Sequence, residues 1–308
     1  MQLDYSRRIF LKKLTALGLG AIFSRLLLPV GAQGNTRPNL VVARGEVGQA
    51  VKAAIEALGG LSSFVKSGQK VVLKPNMSFA NTPDWATTTH PAVVATVAKL
   101  CLEAGAKSVL VIDNTLRQTD LCLEKSGIKQ ALRPFDKTHI FGINSRKFFK
   151  ERQIPQGKEL KTVDIAKDLV EADVFINLPV AKSHSQAGVS LGLKNLMGLI
   201  WDRNFLHSYI NLDQGIADLA SIIRPNLTIL DASRALLTAG PGGPGKVEIL
   251  NTVVAGVDPV AVDSYSVTLA KWYGQSFRGH NVKHINAAYK MGLGEIDLAR
   301  MNIREIRV

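Results

Sequence analysis

Short apolar runs alternate along this chain with stretches of helical periodicity, and that alternation restricts the fold to a mainly parallel β-sheet with helices layered on its faces. Strands are predicted over residues 40–43, 70–73, 108–112, 173–176, 227–230 and 249–255, and helices over 48–58, 91–104, 212–223 and 259–273. The expected architecture is therefore α/β, mainly parallel, with Rossmann-like layers. Residues 130–165 are more polar and weakly periodic, and they read as a small insertion or lid.

The ends of the predicted strands carry the functional signal. Lys70-Val-Val-Leu-Lys74-Pro75-Asn76 leaves its strand on a lysine and an asparagine, and Val109-Leu-Val-Ile-Asp113 leaves on an aspartate. Val174-Phe-Ile-Asn177 leads into Lys182 and His184, and Leu227-Thr-Ile-Leu-Asp231 ends on a second aspartate. In an open α/β sheet, loops and helix N-termini converge outside the carboxyl ends of the strands, where ligands bind. Turn chemistry alone also favours Asp and Asn at strand exits. Four such ends, together with the lysines and the histidine, point to a site.

Lys182 and His184 are two residues apart, so an extended segment places both on one side. Lys194 and Asn195 follow Gly192 at a helix start whose free N–H groups would add to an anion pocket. Lysine offers a compact charge to a carboxylate or phosphate, and a neighbouring histidine can exchange a proton near neutral pH. The competing reading has Lys182 and Lys194 reaching to solvent along their stems. His90 stands before Pro91 at a helix start and fits a cap as well as a ligand contact. Asp258, before Pro259, fits a cap. Asp263 lies inside an apolar helix pattern, where a carboxylate needs a lysine or a metal-bound group as partner.

Gly240-Pro-Gly242-Gly-Pro-Gly245-Lys246 has the spacing of a phosphate-binding P-loop, but Val247 stands where Ser or Thr is required and a strand pattern follows. That argues against nucleotide hydrolysis and leaves a backbone-rich loop near the pocket. Asp113, Asp231, Asp263 and His184 make a hard-oxygen set that suits a divalent metal, although no HxxxH or HExxH spacing supports it. No GxSxG and no GxGxxG follow the first strand, so serine hydrolysis and ordinary dinucleotide binding lack their anchors.

The N-terminus reads as an address. Ser6-Arg7-Arg8-Ile9-Phe10-Leu11-Lys12 has the pattern of a twin-arginine export signal, followed by an apolar run over 14–23 and a small-residue exit at Val30-Gly31-Ala32. The run is too short for the roughly 20 residues of a membrane span. Cleavage after Ala32 leaves 33–308 as one α/β domain in the periplasm or beyond. Retention as an uncleaved anchor, or a plain basic amphipathic helix interrupted by Arg25, are the other readings. The expected partners are the twin-arginine machinery, a small anionic ligand and an exported redox partner. The formal charge is +13, and without residues 1–32 it is 33 basic against 24 acidic residues, or +9. No aromatic-interleaved basic stripe accompanies that charge, which argues against nucleic acid and for small anions or an anionic envelope surface. Cys101 and Cys122 form no CxxC. They read either as a disulfide made after export or, for Cys101 in its apolar helix pattern, as a packed thiol.

These residues together resemble the domain-of-unknown-function 362 group. The resemblance rests on Lys74-Pro75-Asn76, Thr89-His90-Pro91, Gly105-Ala106 before the Asp113 strand, Asn177-Leu-Pro179 with Lys182 and His184, Lys194-Asn195-Leu-Met-Gly198, Gly240-Pro-Gly and Asp258-Pro-Val-Ala-Val-Asp263. It implies the α/β architecture and the pocket residues but no reaction. Relatives in that group often carry a cysteine-rich iron–sulfur module, whereas two unclustered cysteines cannot supply four thiolates for a cluster. The reading that results is an enzyme acting on a small anionic metabolite. Lys74, Lys182 and Lys194 hold the anion with Asn76, His90, Asn195, Gly240 and Gly242. His184 moves a proton, and Asp231, Asp113 and Asp263 orient the cations or hold a metal. A non-catalytic binding protein and a maturation factor for an exported redox complex remain as alternatives.

Overall fold

The computed structural model describes residues 38–308. The expected export signal, residues 1–32, lies outside the described residues. Ten strands form the main sheet. They are β1 (Leu40–Arg44), β2 (Lys70–Pro75), β3 (Ser108–Asp113), β4 (Thr138–Gly142), β7 (Val174–Leu178), β8 (Val180–His184), β9 (Gly188–Ser190), β10 (Leu227–Leu236), β11 (Val247–Gly256) and β14 (Ile303–Arg307). The order across the sheet is β14-β1-β11-β10-β7-β2-β3-β4, with β8 and β9 branching from β10. The run β10-β7-β2-β3-β4 is parallel throughout, and β11 alone on the main path runs against its neighbours. Two short hairpins stand off the sheet, β5 (Phe149–Gln153) with β6 (Thr162–Ala166), and β12 (Lys271–Trp272) with β13 (Gln275–Ser276).

Both faces of the sheet are covered, which explains why β7 and β10 are buried along their whole length. In β1 the alternation is direct: Leu40 and Val42 enter one apolar cluster, and Val41 and Ala43 enter the other. On the second face lie α1 (Val47–Ala57) and α2 (Pro91–Glu103); on the first lie α3 (Gly192–Asn195), α4 (Leu212–Ile222), α5 (Pro259–Ser266) and α6 (Lys283–Lys290). Local chemistry sets the helix starts. Glu46 caps α1 at Gln49 N, and His90 Nδ1 accepts from Ala92 N with Pro91 in the first helical position of α2. Asp258 Oδ1 accepts from both Val260 N and Ala261 N ahead of α5. Among the described residues no helix is long and apolar enough to cross a membrane.

Three expectations need correction. Residues 138–142 form β4, an edge strand in register with β3, so 130–165 is not one inserted lobe. Within that stretch the β5–β6 hairpin stands off the main sheet, bridges Ile165 to Ile200 and gives Arg152, Gln153 and Ile165 to the wall of a cavity of about 360 Å³ that is separate from the strand-end cluster. The helix expected to reach 273 ends as α5 at Ser266, because a 3₁₀ turn follows and Trp272 turns into the core. Finally, β10 continues six residues past its predicted end, through a register shift between Ala232 and Arg234, so Asp231 lies inside a strand.

The loop after β5 is fastened by one buried carboxylate. Asp218 on α4 accepts from the backbone N–H groups of Lys158, Glu159 and Leu160 and from Gln214 Nε2, at 2.8–2.9 Å. Asp218→Ala leaves three backbone donors unsatisfied at a buried point. It is expected to destabilise the protein by about 3 kcal/mol, read from urea unfolding, and to raise hydrogen exchange first in residues 149–166.

Candidate functional site

The parallel register brings the polar strand ends together. Lys74 on β2 lies opposite Asn177 on β7, and Asn177 lies opposite Thr228 on β10. Immediately beyond this edge the chain turns through β8 and β9 into α3, which returns Lys194 and Asn195 to the same place.

A hydrogen-bonded ladder of three asparagines organises the edge. Asn177 Nδ2 donates to the Gly192 carbonyl at 3.0 Å, and its Oδ1 accepts from Asn195 Nδ2 at 2.9 Å. Asn195 Oδ1 accepts from Lys74 Nζ at 2.9 Å and from Asn76 Nδ2 at 3.1 Å. Asn76 Oδ1 then accepts from Lys182 Nζ at 3.2 Å, and that ammonium also donates to the Thr87 carbonyl at 2.6 Å. Each amide both donates and accepts, so the ladder orients two buried lysines without isolating a polar group.

The two aspartates expected as metal ligands stand at opposite ends of this ladder. Asp113 Oδ1 pairs with Lys74 Nζ at 3.0 Å while its Oδ2 accepts from Met77 N and Ser78 Oγ. Asp263, inside α5, accepts from Gly192 N at 2.7 Å and Leu193 N at 2.8 Å, holding the first turn of α3. Burial pushes the Asp263 carboxyl up to about 7, against the pull of those two N–H bonds. Neither carboxylate is turned toward a shared metal, and among the described residues no three His, Cys, Asp or Glu side chains gather where a metal ion could sit.

The glycines of this segment answer to the same carboxylates. A Cβ on Gly198 would stand 2.0 Å from Asp113 Oδ1 and 2.6 Å from Lys74 Cε, and one on Gly192 would stand 2.7 Å from Asp263 Oδ1. Both positions need close backbone approach to a buried anion, which any side chain would block.

The ladder forms the floor of a cleft of about 250 Å³. Its ionisable lining is cationic or neutral: Lys74, Lys182, Lys194, Arg203, His184 and His207, with no carboxylate on the wall. Lys194 is buried, and among the described residues the one hydrogen-bond partner of its Nζ is the Met197 thioether, at 3.3 Å. Thioether sulfur is a weak acceptor, so this cation is unlike Lys74 and Lys182, which donate to oxygens. Burial drives the amines of Lys182 and Lys194 down to about 7; at Lys182 the charge of Asp113 opposes this while Lys74 and Lys194 add to it, and at Lys194 Arg203 adds to it while Asp213 opposes it. Lys74 is lowered by the same burial, against its pairing with Asp113.

His184 Nδ1 accepts from the backbone N–H groups of Gln186 and Ala187, both at 3.2 Å, which places the proton of the neutral ring on Nε2. Its ring stacks on that of His207 with centroids 5.7 Å apart, and His207 Nδ1 meets Gln186 Oε1 at 2.7 Å. Burial, then the nearby Lys194, pushes His184 down to about 2 and His207 down to about 4. Both rings are therefore neutral at working pH.

Six of the predicted residues line this cleft: Lys74, Asn76, Lys182, His184, Lys194 and Asn195. The rest are placed elsewhere. Asp231, expected to act in catalysis, is buried with Ser233 Oγ at 2.6 Å, Arg234 at 3.1 Å and the His90 backbone N–H at 2.7 Å. His90 is the α2 cap. Gly240 donates its N–H to Ser183 Oγ, and Gly242 lines a neighbouring groove, so Pro241 is the residue of that loop that reaches the cleft. Sequence reasoning passed over Arg203 and His207, which arrive on a short helix, Arg203–Ser208, and over Phe79, whose ring lies 4.7 Å from Lys182 Nζ. Cys101 and Cys122 are free, buried thiols, and burial pushes Cys101 up to about 12.

Fold and site thus define an α/β protein with a cationic, carboxylate-free cleft at the carboxyl edge of its parallel strands. Residues 71–268 match the profile of the domain of unknown function DUF362, and the chain belongs to that family. It is 32% identical over 222 residues to a thylakoid-associated protein of Synechocystis sp., covering 69% of this chain and 66%, just under two thirds, of that one. Among solved structures it is similar to the lactate racemase apoprotein of Thermoanaerobacterium thermosaccharolyticum, with TM-score 0.44 and 17% identity over 72% of this chain and 54% of the other. A Thermotoga maritima protein matches with TM-score 0.42 and 11% identity, over 67% and 55%. Likenesses this distant say nothing of what the cleft binds.

The close packing at Gly198 gives a direct test of the floor. Gly198→Ala must displace the buried Lys74–Asp113 pair and is expected to cost about 3 kcal/mol in urea unfolding, whereas Gly188→Ala, whose added Cβ meets nothing within 4 Å, is expected to cost no more than about 1 kcal/mol for its positive φ.

Proposed function

We propose that the protein is an enzyme that binds a small organic anion in this cleft, with Lys182, Lys194 and Arg203 holding the anionic group and neutral His184 presenting Nε2–H to it as a hydrogen-bond donor. The observation that carries this reading is the Lys194 side chain, buried at a cavity whose wall, among the described residues, has no carboxylate, with a thioether as its one hydrogen-bond partner there. A buried cation without an oxygen acceptor is costly, and a carboxylate or phosphate from outside supplies that acceptor. Lys74 has a supporting part, since Asp113, Asn195 and the Pro75 carbonyl already occupy it.

A second reading, capture without turnover, is favoured by one feature. His184 has its Nδ1 committed to two backbone donors and its acidity shifted far from neutral, which suits a fixed donor better than a proton shuttle. Under either reading we place the protein outside the cytoplasm, exported by the twin-arginine route; the thylakoid association of the Synechocystis relative is compatible with work at a membrane surface.

Two outcomes test the reading. Lys194→Met removes a cation that has no oxygen partner, so the melting temperature should hold or rise slightly while saturable binding of inorganic phosphate or acetate is lost. An unfolded Lys194→Met protein, or one with unchanged anion affinity, would assign Lys194 a structural role. The pH dependence has a defined sign. Lys182 and Lys194 titrate near 7 in the free protein and are held protonated by a bound anion. Affinity should therefore be flat, as far as these lysines are concerned, below pH 7 and fall above it by up to about tenfold per pH unit for each lysine, with proton uptake visible in calorimetry across buffers. The ligand-free protein should gain stability over the same rise, because between pH 7 and 10.5 the unfolded chain holds protons that the folded chain does not.

A further inference from the structure

A second cavity of about 490 Å³ adjoins the cationic cleft. Phe79 lines both, and the walls run on from Leu116 to Arg117 and from Pro241 to Gly242. The ring of Phe79 lies below Lys182 Nζ on the cleft side, and on the other side it packs close to Gly242, where an added Cβ would be 3.0 Å from its Cε1. Around this second cavity three large apolar side chains stand exposed: Trp85 at 39%, Leu121 at 41% and, at the junction, Leu116 at 47%.

That exposure occurs on a rigid frame. The segment carrying Trp85 is clamped from three sides. Arg234 donates from Nε to the Pro83 carbonyl at 2.8 Å and from Nη2 to the Thr88 carbonyl at 2.9 Å. Lys182 holds the Thr87 carbonyl, and Asn81 Nδ2 ties Thr87 Oγ1 to the Gly242 carbonyl. Asp231, buried beneath, holds Arg234 in place. A tryptophan left open on a frame with this many fixed points presents a preformed planar surface, and its apolar area is better covered by a ligand ring than by water. The adjoining glycines, Gly242 and Gly243, back these rings closely, an added Cβ on Gly243 standing 3.3 Å from Trp85 Cε3, so it is the exposed side of Trp85 that faces the groove.

We infer that the ligand is an amphiphilic anion, a phosphate or carboxylate head in the lysine cleft carrying a planar aromatic ring that lies in the groove of Phe79, Trp85 and Leu121. The inference rests on the anion-binding reading of the cleft and adds the tail. It also gives Asp231 and Arg234 a positioning role, through the segment that bears Trp85.

Calorimetric titration of the full chain with matched probes tests this: inorganic phosphate against phenyl phosphate, acetate against phenylacetate, and phenol as ring alone. The phosphate and acetate pairs also decide which head the cleft takes. The aryl member of the accepted pair should bind at least about tenfold tighter than its bare head, since burying a ring adds apolar area at little cost in flexibility. Trp85→Ala, at an exposed position, should erase most of that gain and leave the bare head's affinity unchanged; Leu121→Ala should reduce it in part. Equal affinity for the bare and aryl anions, with both saturable, overturns the tail and leaves the cleft reading intact, as does an aryl gain that survives Trp85→Ala. If phenol binds alone and no anion binds, the groove is an apolar site and the head assignment falls. If no probe binds, both readings fall.

Discussion

The buried pair of Lys74 and Asp113 is the contact on which the rest of the site depends. It joins β2 to β3 at the sheet's carboxyl edge, and through Asn195 it also fixes the segment that follows β9. Both side chains are almost wholly out of water, so their attraction is offset by a large desolvation penalty, and the pair contributes little to stability as such. Its importance lies in what removing one partner would leave. The surviving charge would be uncompensated in the core, next to a glycine, Gly198, with no side chain to give way. The pair acts as a register pin: β2, β3 and the Gly192–Leu199 segment satisfy their polar groups only in this one arrangement.

From that pin the asparagine ladder distributes polarity across four segments, and its consequence is electrostatic. Asp113 pairs with Lys74 in direct contact, whereas, among the described residues, Asp113 acts on Lys182 and Asp213 on Lys194 from beyond ion-pairing distance. Lys182 is held by two neutral oxygens and Lys194 by a sulfur, so their positive charge is directed into the cavity. The neutral state of His184 and His207 follows from the same surplus, since imidazolium beside Lys194 would add repulsion to desolvation. The fold thus keeps the carboxylate of Asp113 behind the wall and the lysines on it.

How much of this could be read from the sequence depends on whether one residue or a partner decides the matter. Lys74, Asn76, Lys182, His184, Lys194 and Asn195 were readable as a group because parallel strands align their carboxyl ends, and a polar residue closing an apolar run marks such an end. Asp263 was readable as partnered, since an apolar helix face does not tolerate a bare carboxylate; that its partners are Gly192 N and Leu193 N was not, because nothing local links residues 263 and 192. Asp231 misled for a related reason. Ser233 and Arg234 look like the start of a loop, but pairing with β11 and β8 buries them and carries the strand on. Strand β4, Thr138-His-Ile-Phe-Gly, escaped because an edge position lets polar residues into a strand. Arg203 and His207 escaped because a helix of six residues has too few turns to show a period.

The contrast between Lys74 and Lys194 separates scaffold from function within a single cluster of like residues. Both are buried lysines at the same sheet edge, and by residue type they are equivalent. Lys74 has a carboxylate, an amide oxygen and a backbone carbonyl, which complete the three donors of an ammonium. Lys194 has one weak acceptor and a cavity. A fold that supplies full coordination for one buried lysine, through a glycine cleared for the purpose and a ladder of amides, is able to supply it for another on the same cleft. Under the proposed reading, that it leaves Lys194 open is a property of the site, and the acceptor it lacks is supplied by the oxyanion of a ligand.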